Sequence, residues 1–167
     1  MPKKVKKKKL IAISGSPGVG KSTLAKLLVN KLGFDRLNLH HYYKHISRSY
    51  NSSKQSYDVD YTKFEKLVKE KLRETQKGLI IDSHISHLLP KRLVDLCIVL
   101  TCSDLKKLER RLKKRKYPIK KIRENLDAEI FQVCLVEAKE KKHNILVYNL
   151  DRGIDEKKIF IEVNKLL

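Results

Sequence analysis

Acid is scarce in this 167-residue chain: 19 Asp and Glu stand against 39 Lys and Arg, a formal charge of +20. A field of that sign concentrates polyanions, so nucleotides, RNA or a ribonucleoprotein are the natural partners. The plainer alternative is a lysine-rich surface of the thermophilic kind. No apolar run approaches the roughly 20 residues that a bilayer crossing needs, which argues against a membrane protein. The basic start has no apolar stretch before a cleavage site, so no secretory signal is expected. Cysteine is sparse as well. Cys97, Cys102 and Cys134 have no metal-ligand spacing, and their odd number favours a reducing, cytoplasmic setting. An internal repeat, a domain linker and the Asn-Lys-x-Asp sequence of guanine-specific switches are all missing. A chain of this length suits one domain around one core.

What is present alternates. Residues 1–9, MPKKVKKKK, form a charge run with little to pack, suited either to RNA contact or to solubilisation. The domain proper spans 10–167. Leu10 to Ser14 reads as a buried strand, and Leu24, Ala25, Leu27, Leu28 and Leu32 follow at helical spacing to a stop at Gly33. Leu37 and Leu39 alternate with polar residues in a second strand. Residues 40–60 are polar, aromatic and serine-rich, with no clear period. A helix is expected over Tyr61 to Gln76 with Gly78 capping it, then a strand Leu79–Ile81 ending at Asp82, and another from Leu93 to Leu100. Ser103 is the expected N-cap of a basic helix running to Lys114. After the Tyr117-Pro118 break, one long helix from Lys120 to Lys141 should bury Ile122, Leu126, Ile130, Phe131, Val133 and Leu135. A last strand, Asn144–Asn149, and a helix from Asp155 close the chain. Helices alternating with short, two-sided apolar strands predict an α/β fold with a parallel sheet covered on both faces.

The pattern G-x-x-x-x-G-K-[ST] is met by Gly15, Gly20, Lys21 and Ser22, between a predicted strand and a predicted helix. Glycines at 15, 18 and 20 permit a backbone whose N–H groups turn inward around phosphate oxygens. The helix N-terminus adds partial positive charge. The cradle therefore comprises Gly15, Pro17, Gly18, Val19, Gly20, Lys21, Ser22 and Thr23. Lys21 would reach the β- and γ-phosphates of a nucleotide, and Ser22 would ligate Mg²⁺. Asp82, at a strand end, is the candidate carboxylate on the metal side. Of the two histidines beyond it, His84 is nearer and could orient a water or an acceptor, whereas His87 reads as an ordinary polar loop residue. Arg110, Arg111 and Arg115 cluster where a helix runs out, and Arg111 and Arg115 suit a lid that neutralises a phosphoryl group in flight.

These residues resemble a known family. RLKKRKYPIKKIRENLDAEIFQVCLVEA, from Arg111 to Ala138, looks like the lid and following helix of the small adenylate kinases associated with small-ribosomal-subunit maturation. GSPGVGKSTLAKLL, the D-x-H at Asp82 and His84, and the acidic pair in YDVDYTKFEKLV support it. The resemblance implies a P-loop nucleoside-monophosphate-kinase fold with five parallel strands, a monophosphate-binding segment at 38–60 and a short lid near 115–120. It implies ATP + AMP to two ADP with slow ATP hydrolysis, Mg²⁺ at Ser22 and Asp82, and catalysis by Lys21, His84, Arg111 and Arg115. Asn38 and Lys44 would face the monophosphate. Lys44 stands where relatives often carry arginine, and it lacks arginine's planar fork. The family's partners would be a platform protein of the small subunit and rRNA. Three functions follow: an adenylate kinase, a ribosome-assembly ATPase whose kinase activity is incidental, or a kinase for another small acceptor.

Overall fold

The computed structural model describes residues 7–167, so residues 1–6 of the expected basic tail lie outside the described residues. Its elements in chain order are β1 (Lys9–Ser14), α1 (Lys21–Leu32), β2 (Asp35–Leu37), α2 (Tyr43–Ile46), β3 (Ser47–Asn51), β4 (Ser56–Val59) and α3 (Tyr61–Glu74). Then follow β5 (Gly78–Asp82), β6 (Leu96–Thr101), α4 (Leu105–Lys114), α5 (Ile119–Ile130), α6 (Val133–Glu140), β7 (Ile145–Asn149) and α7 (Glu156–Leu166). Five strands form one sheet in the order β2-β5-β1-β6-β7, every pair parallel. β3 and β4 make a separate antiparallel hairpin.

The central strand shows why the sheet is covered on both faces. Leu10 and Ala12 of β1 enter one buried cluster with Phe64, Val68, Leu79 and Ile81. Ile11 and Ile13 enter the other, with Leu24, Leu28, Ile98 and Leu100. Alternate side chains of a strand point to opposite faces, so a run of apolar residues is what a strand with two covered faces requires. α1 ends as expected at Gly33, whose left-handed backbone donates to Val29 O.

Several expectations are corrected. β2 stops at Leu37. Leu39 instead opens a single 3₁₀ turn, because the Asn38 side chain accepts from His40 N at 3.2 Å and so offers the backbone an alternative to pairing. Gly78 caps nothing. α3 ends at Thr75, whose hydroxyl donates to Leu72 O, and Gly78 begins β5 because a Cβ there would meet Lys9 O at 2.5 Å and the Phe34 ring at 2.6 Å. β6 starts at Leu96 rather than Leu93. Asp104, not Ser103, caps α4 by accepting from Lys107 N, while Ser103 N donates to Asp151.

The long helix is two. Gln132 adopts φ 50, which ends α5 and restarts the chain as α6. Ile122 is buried and Leu126 and Leu135 are half-buried, but Phe131 is 73% and Ile130 54% exposed. The reason is Glu129, which is buried and accepts from Cys102 N at 2.6 Å. A carboxylate anchored on the sheet side turns the neighbouring Ile130 and Phe131 outward.

Candidate functional site

Between β1 and α1 the chain wraps into a cup. Gly15, Gly18 and Gly20 have φ of 145°, 89° and 106°, conformations that side-chain-bearing residues rarely adopt. Gly15 has a second constraint, since a Cβ there would lie 2.6 Å from Leu100 O. Val19 is buried and locks the loop to the core, whereas Ser22 and Thr23 are exposed at the start of α1.

Lys21 folds back over this cup, its Nζ donating to Gly15 O at 2.8 Å and Ser16 O at 2.9 Å. Loss of water around the ammonium pushes its pKa down to about 8, and the like charge of Arg115 acts in the same direction. Asp82 and Glu129 oppose this. Arg111 reaches the loop from α4, donating to Gly18 O at 2.8 Å. Arg115 follows at the C-terminal end of the same helix and is exposed. Lys21 and Arg111 thus converge on the loop from two elements, with the charge of Arg115 near enough to act on Lys21.

On the other side of the loop, Ser22 Oγ donates to Asp82 Oδ2 at 3.0 Å. The parallel pairing of β1 with β5 sets this, matching Ile13 to Asp82 just before the loop begins. A hydroxyl and a carboxylate oxygen at this separation suit a small hard cation that takes its other ligands from phosphates and water. Among the described residues no group of three or more His, Cys, Asp or Glu could hold a metal. Ser22 and Asp82 alone offer two oxygen ligands, so they would hold a cation only together with nucleotide phosphates and in competition with the other donors on Asp82.

His84 is exposed at the mouth of this cleft, its ring 6.5 Å from that of Tyr43. Partial loss of water and the charge of Lys21 lower its pKa to about 4, leaving a neutral imidazole at pH 7. His87 is not a polar loop residue: it is 1% exposed. Its Nδ1 pairs with Ser14 Oγ at 2.6 Å and its Nε2 with Glu137 Oε2 at 2.7 Å, tying the strand before the loop to α6. Burial lowers its pKa against the pull of Glu137.

Asn38 and Lys44 are not brought to the cup by any described hydrogen bond. Asn38 caps its own turn, and Lys44 is exposed on α2. Beside them stands a stack of tyrosines. The Tyr43 and Tyr57 rings lie 5.5 Å apart and 6° from parallel, with Tyr50 4.8 Å from Tyr57. Tyr43 hydroxyl pairs with Ser83 Oγ at 3.1 Å, which fixes the stack next to His84. One residue escaped the sequence reading altogether. Arg36 on β2 holds Asp82 side-on, Nε to Oδ1 at 2.7 Å and one terminal nitrogen to Oδ2 at 2.8 Å. The available signal was an arginine on a strand adjoining the one that ends in the metal-side acid.

Comparison with known proteins gives the family and the fold. A family profile described as "AAA domain" matches residues 11–132. A Methanocaldococcus jannaschii protein named "putative adenylate kinase" is 40% identical over 143 residues, covering 84% of this chain and 78% of its own. The Schizosaccharomyces pombe "adenylate kinase isoenzyme 6 homolog" is 38% identical over 132 residues, covering 78% of this chain and 74% of its own. A crystal structure of a putative kinase from Chloroflexus aurantiacus superposes with a TM-score of 0.60, covering 97% of this chain and all of that one. At 16% identity that likeness speaks for the fold alone.

Proposed function

The chain belongs to the family whose archaeal and eukaryotic relatives are named as adenylate kinases, and from that premise we propose that it transfers the γ-phosphoryl group of ATP to AMP. The observation that carries this reading is the convergence of Lys21 and Arg111, with the charge of Arg115 nearby, on a loop whose far edge holds the Ser22–Asp82 pair. In the reaction the bond from the γ-phosphorus to the β-phosphate oxygen breaks, and a bond to an AMP phosphate oxygen forms. That attacking oxygen is already ionised, so no protein base is needed; positioning and charge do most of the work.

Lys21 exchanges its two carbonyl partners for β- and γ-phosphate oxygens, and Arg111 and Arg115 neutralise the phosphoryl group in transit. A divalent cation held by Ser22 and Asp82, when bound, supplies neutralisation of the phosphate oxygens. His84, neutral at pH 7, orients the acceptor or, when none is bound, a water, which accounts for slow ATP hydrolysis. Segment 38–60, with Asn38, Lys44 and the tyrosine stack, holds the monophosphate, and residues 115–120 act as a short lid. ADP formation from ATP, Mg²⁺ and AMP tests the proposal, with Lys21→Ala expected to lose about 10³-fold in rate. An inert AMP alongside consumption of another acceptor would sink the adenylate assignment.

A second reading rests on the family resemblance and is compatible with the +20 charge: an ATP-dependent grip on a small-ribosomal-subunit platform protein and rRNA during subunit maturation in the cytoplasm. Capture of those components at physiological salt, changed by ATP, supports it; capture indifferent to nucleotide counts against it.

A further inference from the structure

Arg36 occupies the side of Asp82 on which a cation would be needed. β2 is the edge strand and runs parallel to β5 with Arg36 opposite Ile80. Its side chain therefore reaches forward along the strand direction to the carboxylate two residues on. The contact is side-on and engages both oxygens, at 2.7 and 2.8 Å. Ser22 Oγ adds a third bond, to Oδ2 at 3.0 Å. The Asp82 side chain is 5% exposed and that of Arg36 22%, so this pair is only weakly screened.

A carboxylate has about four lone-pair sites, so three donors leave little for a metal. A dication entering beside Ser22 would also share its carboxylate with a guanidinium that cannot give up its charge. We propose that Arg36 is a resident counter-ion that competes with the divalent cation for Asp82, so that the loop accepts metal-free ATP nearly as well as the metal complex. Arg36 compensates Asp82 before nucleotide arrives, which removes the repulsion a bare carboxylate would exert on the incoming phosphates. The same compensation weakens the gain that the metal can bring. The inference rests on the nucleotide reading of the loop but not on the identity of the acceptor.

The test is binding of a fluorescent ATP analogue to the full chain, in EDTA and in Mg²⁺. By linkage, the ratio of the two dissociation constants measures how far metal and nucleotide favour each other. In the unaltered chain that ratio is expected within about threefold of one. Arg36→Gln should raise it about tenfold, weakening binding in EDTA and tightening it in Mg²⁺. Arg36→Lys, which keeps the charge but loses the fork, should raise it about threefold, and this variant carries the test if the glutamine form does not fold. Adding Asp82→Asn to Arg36→Gln should return the ratio to its starting value. A ratio that stays the same or falls in a folded Arg36 variant overturns the competition. Failure of every form to bind the analogue would overturn the nucleotide reading itself, and this inference with it.

Discussion

The two sides of the cleft are built differently. The phosphate side is a loop clamped between buried elements: Val19 is 3% exposed, Leu24 and Leu28 are fully buried, and Lys21 is held by carbonyls of its own loop. The side proposed to hold the acceptor is a four-residue helix and a hairpin whose β3 residues are mostly exposed. The helix is anchored by buried Tyr43 and Ile46, whereas the hairpin leans on the ring stack of Tyr43, Tyr57 and Tyr50 and on Lys121 Nζ, which donates to Gln55 O at 2.7 Å. A phosphate cup whose backbone is already set needs only an exchange of side-chain partners to receive charge, whereas an exposed hairpin on a small buried anchor can open and close more readily. On the proposed reading, rigidity sits where electrostatics must be preorganised, and looseness where the acceptor would enter.

The largest expected break in this contrast is Gly15→Ala. The new Cβ meets both a forbidden φ of 145° and Leu100 O at 2.6 Å. Strain and overpacking together should cost about 3 kcal/mol of stability, read as a lower midpoint in urea. A loss under about 1 kcal/mol would mean that the loop is as yielding as the hairpin.

Next in size is a pH effect confined to the phosphate side. Lys21 titrates near 8 in the folded chain, below its ordinary 10.5. As pH rises through 8 the free protein loses the ammonium, so ATP affinity should fall by about fivefold between pH 8 and 9 and change little on this account from 6 to 7. Isothermal calorimetry should find proton uptake on binding above pH 8. Stability moves the opposite way. Between pH 8 and 10.5 the unfolded chain holds the proton that the folded one has released, so the folded state gains as pH rises. Lys21→Met should abolish both trends.

On the acceptor side, Tyr57→Ala removes the middle ring of the stack and should cost about 1 kcal/mol in stability. KM for AMP should rise several-fold with KM for ATP unchanged, as initial rates against each substrate would reveal. Equal changes for both would mean that the stack supports the whole cleft.

The same contrast governs what could be read from sequence. The phosphate loop is contiguous, and each of its residues has a local reason to be there, so Gly15 to Ser22 and the strand-end Asp82 were legible. Arg36 was not, because its partner is 46 residues away and the contact exists only once β2 pairs with β5. The break at Gln132 carries no glycine or proline, and apolar residues run straight through it at helical spacing. A buried contact of Glu129 with a strand 27 residues earlier decided the outcome. The hairpin was hard to see for the opposite reason: β3 is mostly exposed and needs no alternation of apolar and polar residues, and the alternation in β4 through Tyr57 and Val59 lasts only four residues.

The smallest effect should come from the single bond that crosses the cleft. Lys121 is at once 4.2 Å from the Tyr117 ring centroid and bonded to Gln55 O at the hairpin turn. It thus joins the segment after α4 to the acceptor wall. The bond is exposed and both Lys121 and Tyr117 are only half-buried, so Lys121→Met should change stability by no more than about 0.5 kcal/mol. Its consequence is kinetic. Without the bond the wall opens more readily, so the rate constant for product release should rise by about twofold while ATP affinity holds. Stopped-flow release of a fluorescent ADP measures this directly. An unchanged release rate would mean that the hairpin is held shut by its tyrosines alone.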